Sequence, residues 1–219
     1  MCLNPCITPS LYAKKSNGSL VMALIEPLKK EHTPSLATDF KLFEEILGFV
    51  PNSLLTMQRN PAIVNGFAVL TKAVMNPAGT VDPGFKRLLA HFVSTAAGCQ
   101  YCQAHTLLAA GISGISEQKL EELWEYKTSE LYSEKERIAL DFALATGQVP
   151  NTVDEAIQES MRRVWSEEQI VEILAAISLY GFLNRWNDAM ATTIEPEAVE
   201  IANKYLDEKS WDGGKHLPE

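Results

Sequence analysis

Two cysteines and a histidine stand close together near the middle of the chain, at spacings that suit thiol redox chemistry. Cys99 and Cys102 are three positions apart, and His105 follows the second cysteine by three more. Residues at i and i+3 are neighbours on one face of a helix, so a helical segment would place the three side chains in one inclined row. Cα atoms at that separation lie about 5 Å apart, within the range that a disulfide accepts. The spacing is typical of a reversible dithiol with a proton carrier beside it.

The reactivity of such a pair depends on how readily one thiol becomes a thiolate. Gly98 precedes the pair, and both cysteines fall in the first turn of the expected helix, where unpaired backbone N–H groups and the helix dipole favour negative charge. His105 can take or return a proton near neutral pH. A thiolate that attacks a peroxide becomes a sulfenic acid, which the second cysteine converts to a disulfide. We therefore predict Cys99, Cys102 and His105 as the catalytic residues.

Two other interpretations of the cysteine pair stay open at this point. A Cys-x-x-Cys can be half of a zinc site, but the only other cysteines are Cys2 and Cys6, close to the N-terminus. Alternatively, the pair is buried and inert, with a core histidine behind it. The position at a helix start, with His105 in the same row, favours redox chemistry, and we expect neither a metal nor a cofactor.

The composition excludes several classes of protein. The 219 residues are 46% hydrophobic and 21% charged, which is ordinary for a globular protein. The net charge is −9 and no cluster of lysines and arginines stands out, which argues against a nucleic-acid partner. The longest apolar run, Ile173 to Leu183, is far shorter than the ~20 residues that cross a bilayer. Met1 to Lys15 lacks the pattern of a signal peptide, so we expect a cytoplasmic protein in which thiols stay mostly reduced.

The elements that must position the cysteines are all predicted to be helices. Apolar residues recur at helical spacing in four segments of the first half, residues 39–49, 61–75, 83–98 and 99–110. Gly111 and Gly114 are expected to end the fourth, which carries the cysteines. Three capping boxes mark helix starts in the second half: Ser133 with Glu136, Thr152 with Glu155, and Ser166 with Gln169. No stretch alternates apolar and polar residues long enough for a sheet, so the predicted fold class is all-α.

The ends of the chain differ from the rest. Residues 1–21 show no helical period, and we predict a poorly ordered extension there, with Met22 a candidate for the true start. Residues 22–208 are predicted to form one helical domain. Residues 209–219 form a polar tail, in which Trp211 is expected to contact a neighbouring subunit if it packs.

Several segments together resemble a known family. Residues 96–106, Ala-Ala-Gly-Cys-Gln-Tyr-Cys-Gln-Ala-His-Thr, resemble the signature of the carboxymuconolactone decarboxylase superfamily, in the branch related to the alkylhydroperoxidase AhpD. Residues 47–53, Leu-Gly-Phe-Val-Pro-Asn-Ser, and residues 182–188, Phe-Leu-Asn-Arg-Trp-Asn-Asp, are similar to those of its peroxidase-related proteins. The resemblance covers about residues 22 to 200.

This resemblance implies an AhpD-like helical bundle that assembles into a homo-oligomer, either a trimer or a hexamer. It also implies a thiol-dependent peroxidase that reduces a hydroperoxide substrate. By analogy Cys102 is the peroxidatic cysteine and Cys99 the resolving one, exposed in the first turn to a dithiol or lipoyl-type protein reductant. Two alternatives remain: a dithiol reductase or electron relay with weak peroxidase activity, and a non-catalytic protein whose cysteines sense oxidation.

The chain departs from the AhpD pattern at two positions of the proton path. AhpD-type proteins carry a glutamate twelve residues before the first cysteine, where this chain has Arg87. Their histidine follows the second cysteine by four residues rather than three, which moves His105 by about 100° around the helix. His91 is a candidate substitute in the relay, although a lone histidine on such a helix is more often simply packed.

Two further groups of side chains have both a structural and a functional interpretation. Tyr101, between the cysteines, is expected to pack, or else to line the mouth of the site. The long apolar helix ends in a polar cluster, in which Arg185 and Asp188 are spaced for a surface ion pair. The alternative is that this cluster, with Asn184 and Asn187, forms a polar wall of the site.

Overall fold

The computed structural model describes residues 23–206 and 211–217, and within them every regular element is a helix. Three are short 3-10 helices at Lys30–His32, Pro34–Leu36 and Gly214–His216. The α-helices are α1 (Ala37–Leu47), α2 (Asn52–Met57), α3 (Pro61–Val74), α4 (Pro83–Ala96), α5 (Gln100–Ile112), α6 (Glu117–Glu121), α7 (Glu134–Gly147), α8 (Glu155–Val164), α9 (Glu167–Met190) and α10 (Pro196–Tyr205). The predicted all-α fold is confirmed. The predictions for residues 1–21, with Cys2 and Cys6, and for Met22 fall outside the described residues.

The helix starts follow from local chemistry. Ser133 and Ser166 each form a complete capping box, as predicted. The third predicted box is wrong, because Asp154 rather than Thr152 caps α8, accepting a hydrogen bond from the backbone N–H of Ile157. Asp side chains are as effective as Ser at this position, and Asp154 directly precedes the helix. The prediction that Gly111 ends α5 is also wrong, since the helix continues through it to Ile112 and a left-handed turn follows at Gly114.

The centre of the molecule is α4, whose fourteen residues are largely buried. It packs against α5, α7 and α9, and α5 packs in turn against α10. Large apolar side chains of α4, among them Leu88, Leu89 and Phe92, are fully buried in this core. The helix carrying the two cysteines is therefore enclosed by other helices along most of its length.

An ion pair between Lys86 and Glu172 connects α4 to α9. The ammonium of Lys86, 1% exposed, lies 2.6 Å from a carboxylate oxygen of Glu172 and donates to the carbonyl of Val74 at 3.0 Å. Glu172 also accepts hydrogen bonds from the backbone and hydroxyl of Thr80. Burial alone would raise the pKa of Glu172, but the hydrogen bonds from Lys86 and Thr80 outweigh it and lower the pKa to about 2.

The last described segment returns to the start of α5. Trp211 is 4% exposed, and its indole N–H donates to the carbonyl of Gln100 at 3.0 Å. The carbonyl of His216 accepts from the backbone of Ile194, just before α10. Trp211 thus packs against its own chain at Gln100, the residue after Cys99. Its burial therefore needs no contact with a neighbouring subunit.

Candidate active site

Cys99 and Cys102 occupy the start of α5, and both are free thiols. Gly98 has a φ of +73°, a left-handed conformation in which the chain turns from α4 into α5 without strain. Cys99 is the N-cap residue, and its sulfur accepts from the backbone N–H of Cys102 at 3.4 Å. Both cysteines are buried, at 0% and 2% exposed, so the expectation that Cys99 is exposed in the first turn is wrong.

Cys102, and not Cys99, lines a pocket beside the helix start. The pocket has about 590 Å³ of empty space, part of which is open to solvent. Most of its wall is apolar or aromatic: Phe43, Ile46, Pro51, Leu54, Phe67, Tyr101, Leu179, Tyr180 and Leu183. The polar members are few, and besides Cys102 they comprise Ser53, Thr71, Arg87, His105 and Asn187. An apolar pocket with a few convergent polar groups is the usual form of a small-molecule site.

The pocket controls the charge state of Cys102. Burial raises the pKa of the Cys102 thiol, and the hydrogen bond with Cys99 raises it further, whereas a hydrogen bond from Asn187 lowers it. The Asn187 amide Nδ2 lies 3.5 Å from the Cys102 sulfur. The helix start was expected to favour a thiolate, but the cost of desolvation is larger, and the resting side chain is the thiol.

His105 lies in the same wall and contacts a carboxylate. Its Nδ1 lies 2.9 Å from the carbonyl oxygen of Tyr101, and its Nε2 lies 2.7 Å from Oε2 of Glu195, at an angle poor for a hydrogen bond. The ring of Tyr101 stacks on the imidazole with centroids 4.0 Å apart. The imidazole thus lies between a carboxylate at its Nε2 and an aromatic ring stacked on its face.

Glu195 is the functional candidate that the sequence did not reveal. It is the N-cap of α10, 8% exposed, and precedes Pro196. Its Oε1 accepts from the backbone N–H of Asn52 and from the hydroxyl of Tyr101 at 3.2 Å. Glu195 is ninety positions from His105 in the sequence, so no local spacing could have connected them.

The carbonyl of Tyr101 fixes which nitrogen of His105 carries a hydrogen. A carbonyl oxygen only accepts, so the Nδ1 that faces Tyr101 carries the hydrogen of the neutral ring. Nε2, which faces Glu195, is then the nitrogen that can take up and return a proton.

The other residues singled out from the sequence are distributed differently. His91 is fully buried outside the pocket wall, with Nδ1 3.1 Å from the carbonyl of Gln103 and 3.2 Å from the hydroxyl of Thr106. Burial lowers the pKa of His91 to about 4, against the opposing effect of the Gln103 carbonyl. Arg87 does line the pocket, and its Nη1 donates to the Tyr180 hydroxyl at 2.5 Å.

The polar cluster at the end of α9 is divided between surface and site. The expected pair of Arg185 and Asp188 does not form: Arg185 donates to the carbonyl of Gly181, and Asp188 pairs with Lys215 at 3.0 Å. Asn187 is 1% exposed and reaches Cys102, so it is the member that forms a polar wall of the site. Tyr101 lines the pocket while it packs on His105.

The described part of the chain contains neither a metal centre nor a membrane-spanning helix. Among residues 23–206 and 211–217, no group of three His, Cys, Asp or Glu side chains is placed to hold a metal ion. Over those same ranges, none of the helices has the length and apolar character needed to span a bilayer.

Comparison with known proteins gives relatives of two kinds. No protein-family model matches the chain. A stretch of 110 residues, 50% of this chain, is 28% identical to the uncharacterized protein YnjA of Escherichia coli K12, and the match spans only 60% of that relative. A peroxidase-related protein with an AhpD core from Ralstonia eutropha JMP134 is 23% identical, with a TM-score of 0.66 over 80% of this chain and 94% of the other. At that identity the likeness shows the fold alone.

A solved structure of higher identity is that of the debrominase Bmp8. It is 35% identical to this chain, and the match covers 87% of this chain and 99% of Bmp8 with a TM-score of 0.79. The matched structure is a cysteine-to-alanine variant of Bmp8 in complex with 2,3,4-tribromopyrrole. The apo form of Bmp8 matches equally well, with a TM-score of 0.78.

Proposed function

Since this chain belongs to the AhpD-like branch of the carboxymuconolactone decarboxylase superfamily, we propose that it is a dithiol-dependent oxidoreductase that reduces hydroperoxides. Cys99 and Cys102 form its redox couple and His105 is its general acid and base. The observation that carries the proposal is the placement of the Cys102 sulfur and the paired His105 in one wall of an apolar pocket.

The first half-reaction consumes the peroxide at Cys102. Its thiol passes its proton to Nε2 of His105, and the thiolate attacks the terminal oxygen of ROOH, so that an S–O bond forms as the O–O bond breaks. His105 then gives the same proton to the departing alkoxide, which leaves as ROH. Cys102 is left as a sulfenic acid, and the apolar pocket would not stabilise the alkoxide without that proton.

The second half-reaction closes the cycle. The Cys99 thiol attacks the Cys102 sulfur, which gives a disulfide and one water molecule. Cys99 and Cys102 together supply two electrons and two protons, and a dithiol or lipoyl-type protein returns them. The proposal implies a reducing compartment such as the cytoplasm, and, following the family, a homo-oligomer.

A second candidate function is reductive dehalogenation of a small aromatic ring. The likeness to the debrominase Bmp8 along nearly its whole length favours it, as does the aromatic lining of the pocket. The couple would be used in the same way: an aryl bromide and two thiols give the debrominated ring, bromide, a proton and the disulfide. Both functions need the same two cysteines and differ in the substrate that the pocket admits.

The decisive experiment is a titration of free thiols against stoichiometric cumene hydroperoxide. The wild type should lose two thiols per chain from the Cys99–Cys102 peptide and regain them with dihydrolipoamide. Cys102→Ser should keep its one remaining thiol of the pair, that of Cys99. Cys99→Ser should accumulate a sulfenic acid at Cys102, which dimedone traps and mass spectrometry locates.

Each alternative gives a different result in this experiment. Bromide release from a bromopyrrole, with no thiol loss to peroxide, would assign the dehalogenase. Oxidation of the pair by a lipoyl disulfide but not by peroxide would assign an electron relay. Thiols that respond to none of these reagents would assign a non-catalytic protein and overturn the proposal.

A further inference from the structure

We propose that the pocket selects substrates that carry an anionic group, such as a carboxylate, and that Arg87 and Tyr180 bind it. This inference deepens the proposed function, on which it rests for the identity of the reacting group, by naming the class of molecule that reaches Cys102. Arg87 is then a specificity-determining residue rather than a failed member of a proton relay.

Arg87 is a buried cation with unused hydrogen-bond donors. Its side chain is 8% exposed and lines the pocket, and its Nη1 donates to the hydroxyl of Tyr180 at 2.5 Å. No carboxylate among residues 23–206 and 211–217 lies within 4.0 Å of the guanidinium. Buried charges are normally paired, because leaving water without a counter-charge is costly. The guanidinium has five N–H donors in a planar fork that matches a carboxylate, so an anionic ligand would complete the site.

Lys86, the residue before Arg87, is a buried cation on the same helix whose charge is neutralised within the protein. Lys86 is 1% exposed, and both Glu172 and the carbonyl of Val74 neutralise or solvate its ammonium. Arg87, one position along, has only a neutral hydroxyl. The contrast indicates that the charge of Arg87 is left available on the side that faces the pocket.

Tyr180 provides a second donor at the same place. It is 7% exposed, lines the pocket, and accepts from Arg87 through its phenolic oxygen. Its own hydroxyl hydrogen is therefore free to donate away from Arg87. Two donors at one point of an otherwise apolar wall suit the two oxygens of a carboxylate.

The remaining wall defines the rest of the ligand. Apolar side chains such as Phe67, Leu179 and Leu183 line the same pocket and would contact a hydrocarbon or aromatic body. Cys102 and His105 provide the reactive wall of the same pocket. The expected substrate is thus a small organic acid with an apolar body and a reducible hydroperoxide or halide.

Binding tests this inference without any redox step. In a Cys102→Ser background, titration calorimetry with 3-phenylpropanoate and with the neutral 3-phenylpropanamide compares ligands of one shape. We expect the acid to bind about tenfold or more tightly than the amide, as a charge-assisted pair allows. Arg87→Gln should abolish the preference, and Arg87→Lys should retain part of it. Arg185→Gln is the matched control, since Arg185 donates to Gly181 outside the pocket and should leave the preference unchanged.

The outcomes separate this inference from the proposed function. Equal binding of the acid and the amide to the Cys102→Ser protein, or a preference that survives Arg87→Gln, would overturn it. If Arg87→Gln does not fold, Tyr180→Phe must weaken acid binding alone, and equal weakening of both ligands counts against the site. An Arg87-dependent preference in a protein whose thiols ignore cumene hydroperoxide would leave the anion site standing and reject the peroxidase.

Discussion

The reactivity of the site depends on how Cys102 loses its proton. Burial raises the pKa of its thiol, and only the Asn187 amide opposes this at close range. In the proposed reaction the thiolate attacks the peroxide, so the proton must leave in the presence of substrate. His105 is in the same wall, held by the carbonyl of Tyr101 and the carboxylate of Glu195. Glu195 contacts the Nε2 of His105, so we expect it to affect how fast His105 takes up this proton.

Replacing Glu195 tests that dependence. Glu195→Gln keeps an oxygen for the backbone of Asn52 and the Tyr101 hydroxyl but removes the charge beside His105. We expect the rate of peroxide-dependent thiol oxidation to fall about tenfold to a hundredfold, since general acid–base catalysis contributes at least that much. Stopped-flow fluorescence measures this rate.

Glu197→Gln is the matched control for this experiment. Glu197 lies on the same helix, two positions further on, and is exposed. The Glu197→Gln protein should oxidise at the wild-type rate. A Glu195→Gln protein that also keeps the wild-type rate would show that the Glu195 carboxylate has only a structural role at the start of α10.

The residues of the site could be predicted from the sequence only where their spacing is local. Cys99, Cys102 and His105 share one helical turn and its neighbour, and the structure brings Cys102 and His105 to one pocket. Asn187, which reaches Cys102, was named from the sequence only within one of two interpretations of the polar cluster on the long helix. Glu195 reaches His105 from the start of α10, and nothing in its own segment marks it. One prediction from local spacing was wrong. The helix start predicted an easily ionised thiol, whereas burial raises the pKa of Cys102.

At the scale of elements, the position of the pocket depends on how α4 is fixed against α9. Arg87 and Tyr180 meet across these two helices, and Ser94 donates to Asn184 across them at 2.9 Å. The ion pair of Lys86 and Glu172 holds the first turn of α4 in the same arrangement. Lys86 is almost completely buried, so the pair acts by neutralising a charge that would otherwise be desolvated.

Removing the acidic partner should destabilise the whole bundle. Glu172→Gln leaves the Lys86 ammonium buried without a counter-charge, and we expect a loss of about 3 kcal/mol in the free energy of unfolding at pH 7. The folded-state pKa of Glu172 is lowered from 4.5 to about 2, so its contribution is present above about pH 4.5 and is lost as the pH falls toward 2. The difference between variant and wild type should shrink over that window. Urea denaturation followed by circular dichroism measures it.

An exposed glutamate on the same helix provides the comparison. Glu168→Gln changes the net charge of α9 by the same amount, and surface changes of this kind stay within about 0.5 kcal/mol. If Glu172→Gln unfolds at the same urea concentration as Glu168→Gln, the ion pair of Lys86 and Glu172 does not stabilise the packing of α4 against α9.

For the molecule as a whole, helix periodicity was sufficient to predict the class of fold but not the assembly of the pocket. Apolar spacing and capping residues report on single helices, and most of their positions were predicted within a few residues. Which helices touch depends on side-chain packing between distant segments, such as Trp211 on Gln100 and α10 on α5. For this reason residues 209–219 were predicted as a separate polar tail, whereas the described residues 211–217 pack beside the start of α5.

The stability of the folded chain should also fall in mildly acidic solution because of one buried histidine. His91 is fully buried between α4 and α5, and its pKa is lowered from 6.5 to about 4. The unfolded chain binds a proton at His91 below about pH 6.5, whereas the folded chain does not until about pH 4. The unfolded state therefore gains protons first, and stability is lost as the pH falls through this window, by at most about 3 kcal/mol.

This window lies above that of Glu172, so the two effects can be measured in one protein. Urea midpoints of the wild type should decrease between pH 6.5 and 4, and His91→Gln, which cannot titrate but can still hydrogen-bond to Gln103 and Thr106, should decrease much less. His32→Gln removes an exposed histidine and should follow the wild type. Parallel pH profiles for His91→Gln and the wild type would mean that His91 takes up its proton in the folded protein. That result would make His91, which contacts Thr106 on α5, a candidate proton carrier.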